Sequence, residues 1–370
     1  MNRVVIASGG TGGHLFPAIS IAEELKKRVS EVEILFAGEG RRGEAETVGR
    51  HGYSFERIPS APLRREFGLP LRFVSANTSG FLRARRFLKS FAPDLVVATG
   101  GYACAPVGVA AWRAGIPLLL QEQNCLPGLT FKLLARVADR ICLGFEPDGY
   151  RFKRPETVTV TGNPLRPELL LLDRELALDS FKLEPDFQTV LVSGGSQGAK
   201  NLNTMIVETL DFIEARGGLQ LVWQTGEMDF ERCREAMRNR SFPHRLFEFI
   251  DKMGAAYSAA DLVVCRSGAL TLSELGFMGK PSLLVPYPFA SEGHQYHNAR
   301  HFQERGASVV VLESEFRNLY LVAQFKKLVN DPELLRKMGA CAKKLASPEA
   351  TERVVTQIRE LSEERARGRE

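Results

Sequence analysis

The chain uses one short device twice, half its length apart. Val5-Ile6-Ala7-Ser8-Gly9-Gly10 returns as Leu191-Val192-Ser193-Gly194-Gly195, and the Ser-Gly-Gly triplets lie 185 residues apart in a chain of 370. A β-branched apolar run ending in glycines is a buried strand whose following turn lets backbone approach a ligand or another chain segment. Meeting it twice constrains the fold to two similar α/β halves, each opening on a strand and a glycine loop. A chain of this length also exceeds one ordinary core, so two domains agree with the repeat.

Short apolar runs continue between helical stretches. In the first half they are Val4–Ser8, Glu33–Ala37, Leu95–Ala98, Leu118–Leu120, Ile141–Leu143 and Val158–Val160. In the second half they are Thr189–Ser193, Leu219–Gln224, Leu246–Phe249, Leu262–Cys265, Ser282–Val285 and Ser308–Val311. They do not alternate with polar residues, which predicts parallel strands covered on both faces. The fold class is therefore α/β: two Rossmann-like, doubly wound parallel-sheet domains facing each other across a cleft. Gly162-Asn163-Pro164 is a natural hinge, which places the domains at 1–162 and 163–347. Residues 348–370 are expected to form a helix, Glu349 to Leu361, that packs back on the first domain and ends in a frayed charged tail.

Other classes are set aside by composition. No uninterrupted apolar stretch reaches the roughly 18 residues of a membrane span. The run Val4 to Ala7 is too short for a signal-peptide core. The six cysteines include no Cys-x-x-Cys pair, as suits free thiols at core positions in a reducing cytoplasm. The net charge of +5 is concentrated: Arg57, Arg64, Arg65, Arg72, Arg83, Arg85, Arg86 and Lys89 stand against Glu66 alone. Leu63, Phe67, Leu69, Leu71, Phe73, Phe81, Leu82 and Phe87 are interleaved with them. Such a segment suits an anionic membrane surface; the alternative is a solvated helix face covering a core stripe. No nucleic-acid motif accompanies it.

The glycine loops carry the chemistry. Gly9-Gly10-Thr11-Gly12-Gly13-His14 follows the first strand, and Pro17 is expected to open the next helix, with Ala18, Ile21, Ala22 and Leu25 on one face. Residues without side chains between a strand and a helix N-terminus let N–H groups reach an anion, aided by the helix dipole. The loop lacks the Gly-Lys-Ser/Thr of a Walker loop, and Leu15 breaks a dinucleotide fingerprint begun at Gly10. A tight structural turn is the simpler alternative, although four glycines and His14 exceed its needs. Gly194-Gly195-Ser196-Gln197-Gly198-Ala199 has the same placement, and Gly100-Gly101-Tyr102 follows a third strand. All three loops lie where open α/β sheets bind ligands, so a diphosphate at one or more of them is the economical reading. Arg266-Ser267-Gly268-Ala269-Leu270-Thr271-Leu272-Ser273-Glu274 offers another helix N-terminus. Its Glu274 can accept ribose hydroxyls, while Ser267 and Thr271 have helix capping as their plainer role. His294, His297 and His301 share one helix face, but only Glu292 would complete a metal set, so no metal site is assigned.

Taken in order, these segments with Glu122-Gln123-Asn124, Gly162-Asn163-Pro164-Leu165-Arg166 and Gln295-Tyr296-His297-Asn298-Ala299 resemble one family over nearly the whole chain. It is the MurG family of UDP-N-acetylglucosamine:undecaprenyl-diphospho-muramoylpentapeptide N-acetylglucosaminyltransferases of bacterial peptidoglycan synthesis. The resemblance implies a GT-B fold, UDP-N-acetylglucosamine bound mainly by the C-terminal domain, no cofactor, and a membrane-bound acceptor, lipid I, meeting the N-terminal domain. It implies that Ser196 and Arg166 address the diphosphate, that Ile250 borders the uracil with its backbone, and that Gln295 holds the sugar. Ala269, Leu270, Thr271, Leu272, Ser273 and Glu274 would surround diphosphate and ribose, with Thr11, Gly12, Gly13 and Asn124 completing the donor site. Gly100, Gly101 and Tyr102 would serve the acceptor or its diphosphate. The membrane patch would comprise Arg64, Arg65, Arg83, Arg85 and Arg86, at the cytoplasmic face of the plasma (inner) membrane, with room for other wall-synthesis proteins as partners. Gln121 departs from the family's frequent histidine, and Ala103-Cys104-Ala105 from its usual Val-Ser-Gly.

The implied reaction is inverting transfer of N-acetylglucosamine, and it needs a base for the acceptor hydroxyl. His14 is the candidate, because an imidazole of ordinary pKa, about 6.5, is mostly neutral near neutral pH. Its alternative role is to bind a diphosphate or cap a helix, and Glu122 is the second candidate base. Three other activities share parts of the pattern: a UDP-sugar 2-epimerase, a nicotinamide oxidoreductase using Glu39 on the ribose, and a non-catalytic lipid- or polyanion-binding module.

Overall fold

The computed structural model of the protein describes residues 1–9, 12–41, 43–62, 71–165, 169, 172–195, 198–318 and 320–367, with 316–318 described by backbone alone. The chain forms two units, Met1–Arg166 with Ser347–Glu370, and Pro167–Ala346.

The first unit contains strands Arg3–Ala7 (β1), Glu33–Gly38 (β2), Ser54–Arg57 (β3), Leu95–Ala98 (β4), Leu118–Glu122 (β5), Arg140–Leu143 (β6) and Val158–Val160 (β7). They form one parallel sheet in the order β3-β2-β1-β4-β5-β6-β7. Successive residues of a strand point to opposite faces. Val5, Ala7, Val96 and Ala98 accordingly pack under the helices Leu71–Phe91 and Cys104–Arg113. Val4, Ile6, Leu95 and Val97 pack on the other face, under the helices Gly12–Arg28 and Ala350–Arg367. Burial on both faces is why these strands read as unbroken apolar runs. The last helix returns to the first unit through Val354, Val355, Ile358 and Leu361, all buried in that second layer.

The second unit repeats the plan with Gln188–Ser193 (β8), Leu219–Gln224 (β9), His244–Phe247 (β10), Leu262–Cys265 (β11), Ser282–Leu284 (β12) and Ser308–Val310 (β13). Its parallel sheet has the order β10-β9-β8-β11-β12-β13. In both sheets the winding reverses beside the first strand, between β1 and β4 and between β8 and β11. Such reversals open a crevice at the carboxyl ends of the strands.

Three details differ from the sequence pattern. No apolar run marks β3, and β10 begins two residues before its apolar run. Both are edge strands with half-buried residues, where pairing to one neighbour outweighs a weak apolar signal. The first long helix begins at Gly12, and Pro17 lies inside it. Proline has no N–H, so the Gly13 carbonyl loses its helical donor there. The glycines are thus the helix's own first turn.

Candidate active site

The loops after β1 and β4 stand together at the first reversal. Gly100 has φ +113° and Gly101 φ +91°, backbone that side chains rarely adopt. A Cβ on Gly101 would lie 2.4 Å from the Gly9 carbonyl oxygen, and one on Gly100 would lie 2.4 Å from His14 Nδ1. The two glycines therefore let one loop close on the other. Gly12, Gly13 and His14 open the helix, so their N–H groups have no acceptor inside it. This turn has the anion-binding character of a helix N-terminus. Tyr102 projects from the second loop and is exposed. Cys104, which departs from the family pattern, donates its thiol to the carbonyls of Ala7 (3.2 Å) and Gly100 (3.0 Å), and burial pushes it up to about 12.

His14 is half-buried, and its Nδ1 faces two oxygens: the Gln123 amide Oε1 at 2.8 Å and the Thr99 carbonyl at 3.2 Å. Gln123 in turn donates to the Thr99 carbonyl at 2.7 Å. Glu122, the neighbouring candidate, is turned to a different task. Its Oε1 accepts from the backbone and side-chain nitrogens of Asn124, both at 3.0 Å, and its Oε2 from the Gly128 N–H at 3.4 Å. Burial holds its carboxyl above the ordinary carboxylate range, opposed by those donors and by His14. Glu122 shapes the Asn124–Gly128 loop, and the Asn124 amide is directed by it. Glu39 is buried and lies 3.4 Å from Arg41, so its carboxylate is not presented as a ribose acceptor would be.

In the second unit, the loop after β8 is packed as tightly. A Cβ on Gly194 would lie 2.4 Å from the Ala199 nitrogen, and one on Gly198, at φ +73°, 2.4 Å from the Thr225 carbonyl. Buried Gln224 ends β9 and ties two loops, donating to the Gly195 carbonyl (2.9 Å) and accepting the Ile250 N–H (3.0 Å). Ile250 thus keeps only its carbonyl for a base. The helix Ala269–Met278 starts after β11 with no side-chain cap, leaving the N–H groups of Ala269, Leu270 and Thr271 open to an anion. Ser267 does not cap it, donating instead to the Gln295 carbonyl at 2.8 Å. Gln295 Oε1 accepts the Tyr287 N–H at 2.9 Å, which leaves its amide nitrogen as the group to present. Leu272 is the exception among these candidates: its side chain is fully buried and its N–H donates to the Gly268 carbonyl, so it has no group to offer. Ser273 donates back to the Ala269 carbonyl (3.1 Å), and buried Glu274 accepts the Tyr257 hydroxyl (2.8 Å).

The candidates Thr11, Arg64, Arg65, Arg166 and Ser196 lie outside the described residues. Arg83, Arg85 and Arg86 are exposed on the helix Leu71–Phe91, beside an open groove of about 1100 Å³ that Arg72, Arg83 and Arg86 help to line. Phe87, read above with the apolar patch, belongs to the core, whereas Leu71, Val74 and Leu82 are exposed. Among the described residues, no cluster of His, Cys, Asp and Glu is arranged to hold a metal ion. No helix among them is long and apolar enough to cross a membrane. Sequence reasoning assigned no site role to Gln121, Gln123, Asn163 or Gln224; a polar residue at the carboxyl end of the β9 strand was the available signal for Gln224.

Residues 4–143 match the glycosyltransferase family 28 N-terminal domain, and residues 189–354 match the family 28 C-terminal domain. The chain belongs to glycosyltransferase family 28. Relatives in this family include the UDP-N-acetylglucosamine–N-acetylmuramyl-(pentapeptide) pyrophosphoryl-undecaprenol N-acetylglucosamine transferase of Desulforamulus reducens, 39% identical over 97% of this chain and 98% of that protein. The Chlorobaculum tepidum enzyme of the same name is 40% identical over 97% and 99%. The crystal structure of Acinetobacter baumannii MurG superposes with a TM-score of 0.78 at 28% identity, covering 97% of this chain and 100% of that one. The family 28 chain therefore has a GT-B fold and is a glycosyltransferase. UDP-GlcNAc 2-epimerase from Neisseria meningitidis, at TM-score 0.66 and 15% identity over 97% and 100%, shares the fold alone.

Proposed function

We propose that this chain transfers N-acetylglucosamine from UDP-N-acetylglucosamine to the C4 hydroxyl of undecaprenyl-diphospho-muramoylpentapeptide, inverting the anomeric centre and releasing UDP. His14 carries the proposal. Its Nδ1 faces two oxygens that only accept, so in the neutral ring Nε2 is the nitrogen able to take a proton. As the C4 oxygen bonds to the anomeric carbon, its proton passes to Nε2, and the bond from that carbon to the β-phosphate oxygen breaks with its electron pair leaving on UDP. Charge developing on the diphosphate would be met by the N–H groups of Ala269, Leu270 and Thr271 and by the helix dipole behind them. Ser196 and Arg166 would add to that hold, Ile250 would meet the uracil with its carbonyl, and Gln295 would donate its amide N–H to the sugar. Gly12, Gly13 and Asn124 would complete the donor site, and Gly100, Gly101 and Tyr102 would serve the acceptor or its diphosphate. Glu122 is assigned to positioning Asn124, since three N–H groups already occupy its oxygens.

The same reading takes the chain to the cytoplasmic face of the plasma membrane as a peripheral protein. Leu71, Val74 and Leu82 are exposed beside Arg72, Arg85 and Arg86, which form no ion pair with an acid among the described residues. That combination supports docking on an anionic lipid surface, where each cation contributes about 1 kcal/mol.

The test is incubation with labelled UDP-N-acetylglucosamine and the lipid acceptor. The expected products are a labelled lipid-linked disaccharide and UDP. Epimerised free sugar nucleotide without transfer would assign the chain to the epimerases that share its fold.

A further inference from the structure

We infer that a buried chain of side-chain amides, running from Asn163 through Gln121 to Gln123, sets the tautomer of His14. Its catalytic meaning rests on the proposed role of His14 as base; the tautomer itself follows from geometry. Asn163 Nδ2 lies 3.0 Å from the backbone carbonyl of Gln123, a group that only accepts, so the amide nitrogen faces it and Oδ1 faces away. Oδ1 is 3.2 Å from Gln121 Nε2, which leaves Gln121 Oε1 to accept from Gln123 Nε2. The Thr99 carbonyl takes the same Gln123 nitrogen at 2.7 Å, an independent anchor of the same sense. Gln123 Oε1 is therefore the atom that meets His14 Nδ1. Turning any one amide over would set two like groups face to face.

Bulk water is shut out of the chain, because Thr99, Gln121, Gln123 and Asn163 are all 2% exposed or less. In a dry site a reversed polar contact is strongly disfavoured, so the amides hold one sense together. The backbone has been cleared for this. Asn163 follows β7 and reaches the end of β5 across the end of β6, where a Cβ on Gly144 would lie 2.1 Å from Asn163 Oδ1. Gln121, standing where the family often has histidine, supplies the middle link. Gln121, Gln123 and Asn163 are thus positioning residues: they touch no reacting atom and act through His14.

The relay is tested by ring-nitrogen NMR on the full chain, with the His14 signals identified by their loss in His14→Gln. Neutral His14 is expected to carry its proton on Nδ1. Gln123→Leu should raise the Nε2–H share and lower kcat about tenfold or more, with the KM for UDP-N-acetylglucosamine changed less than about twofold. Gly144→Ala, which removes no polar group, should move both readouts the same way. Gln123→Glu restores an acceptor, so the Nδ1–H form should return, with the rising limb of the pH–rate profile moved to higher pH by the added carboxylate. A wild-type His14 protonated on Nε2 overturns the relay, as does a folded Gln123→Leu with tautomer and kcat unchanged. If the tautomers shift as expected while His14→Gln transfers at the wild-type rate, the relay stands and His14 is not the base.

Discussion

Gly100 sits at φ +113° with its missing Cβ directed at His14, so Gly100→Ala must strain its own backbone and displace the imidazole together. It should cost about 1–3 kcal/mol in urea unfolding, with kcat reduced at least about tenfold; a stable variant with full kcat would show that His14 is not held by this contact. Glu122 makes a separate prediction about pH. Burial raises its carboxyl above the unfolded value, about 4.3 for a free glutamate. A group raised on folding stabilises fully only below its unfolded value, and the contribution is lost as pH climbs through the folded value. Relative to Glu122→Gln, the wild type should therefore lose stability in urea titrations as pH rises from the unfolded value through the raised folded one. A difference constant across that window would mean that Glu122 is not raised. At this scale much of the site was hidden in the sequence. His14 stood out by following four glycines in five residues, but its partners Thr99 and Gln123 lie 85 and 109 positions away. Only the pairing of β1 with β4 and of β4 with β5 brings them together.

The helix Ala350–Arg367 is the element on which the first unit most depends from a distance. Val354 and Ile358 are fully buried against β1 and its neighbours. Val354→Ala and Ile358→Ala should each destabilise the first unit, the isoleucine by about 2–5 kcal/mol in thermal or urea unfolding. The rim pairs Arg365–Asp139 and Arg140–Glu364 are partly exposed, and Arg365→Ala should cost less than about 1 kcal/mol. Equal losses from core and rim substitutions would contradict this division. The helix Leu71–Phe91 answers to two demands, and the sequence could state only their sum. Gly80 allows it to lie against the Pro59 carbonyl, 2.0 Å from where a Cβ would stand, and Phe87 and Leu88 face the core. Its outer residues Arg85 and Arg86 are exposed, where the proposed lipid contact would use them. Neutralising Arg85 and Arg86 together should weaken sedimentation with anionic vesicles by about 2 kcal/mol, roughly thirtyfold, and less at high salt. Arg83→Gln should matter less, because its Nε is 2.7 Å from Glu56. Equal vesicle binding by the wild type and the double variant would remove the membrane reading.

Across the whole molecule, the Ser-Gly-Gly echo corresponds to one plan used twice, a parallel sheet reversing beside its first strand, with glycine loops at each reversal. The central strands were legible because burial on both faces writes an unbroken apolar run. The edge strand β3 was not, and β10 was read two residues too far along, since half-buried strands take their extent from a neighbour. The helix start at Gly12 was obscured by Pro17, whose usual place in a first turn pointed five residues too far along. In the proposed reaction the first unit would supply His14, with one nitrogen committed, and the second an uncapped helix for the donor diphosphate. The most direct test is the transfer rate of His14→Ala with saturating lipid acceptor, set beside its affinity for UDP-N-acetylglucosamine. The account predicts kcat lowered by roughly 10²–10⁴ with donor affinity within about twofold of the wild type. Transfer by His14→Ala at the wild-type rate would contradict it.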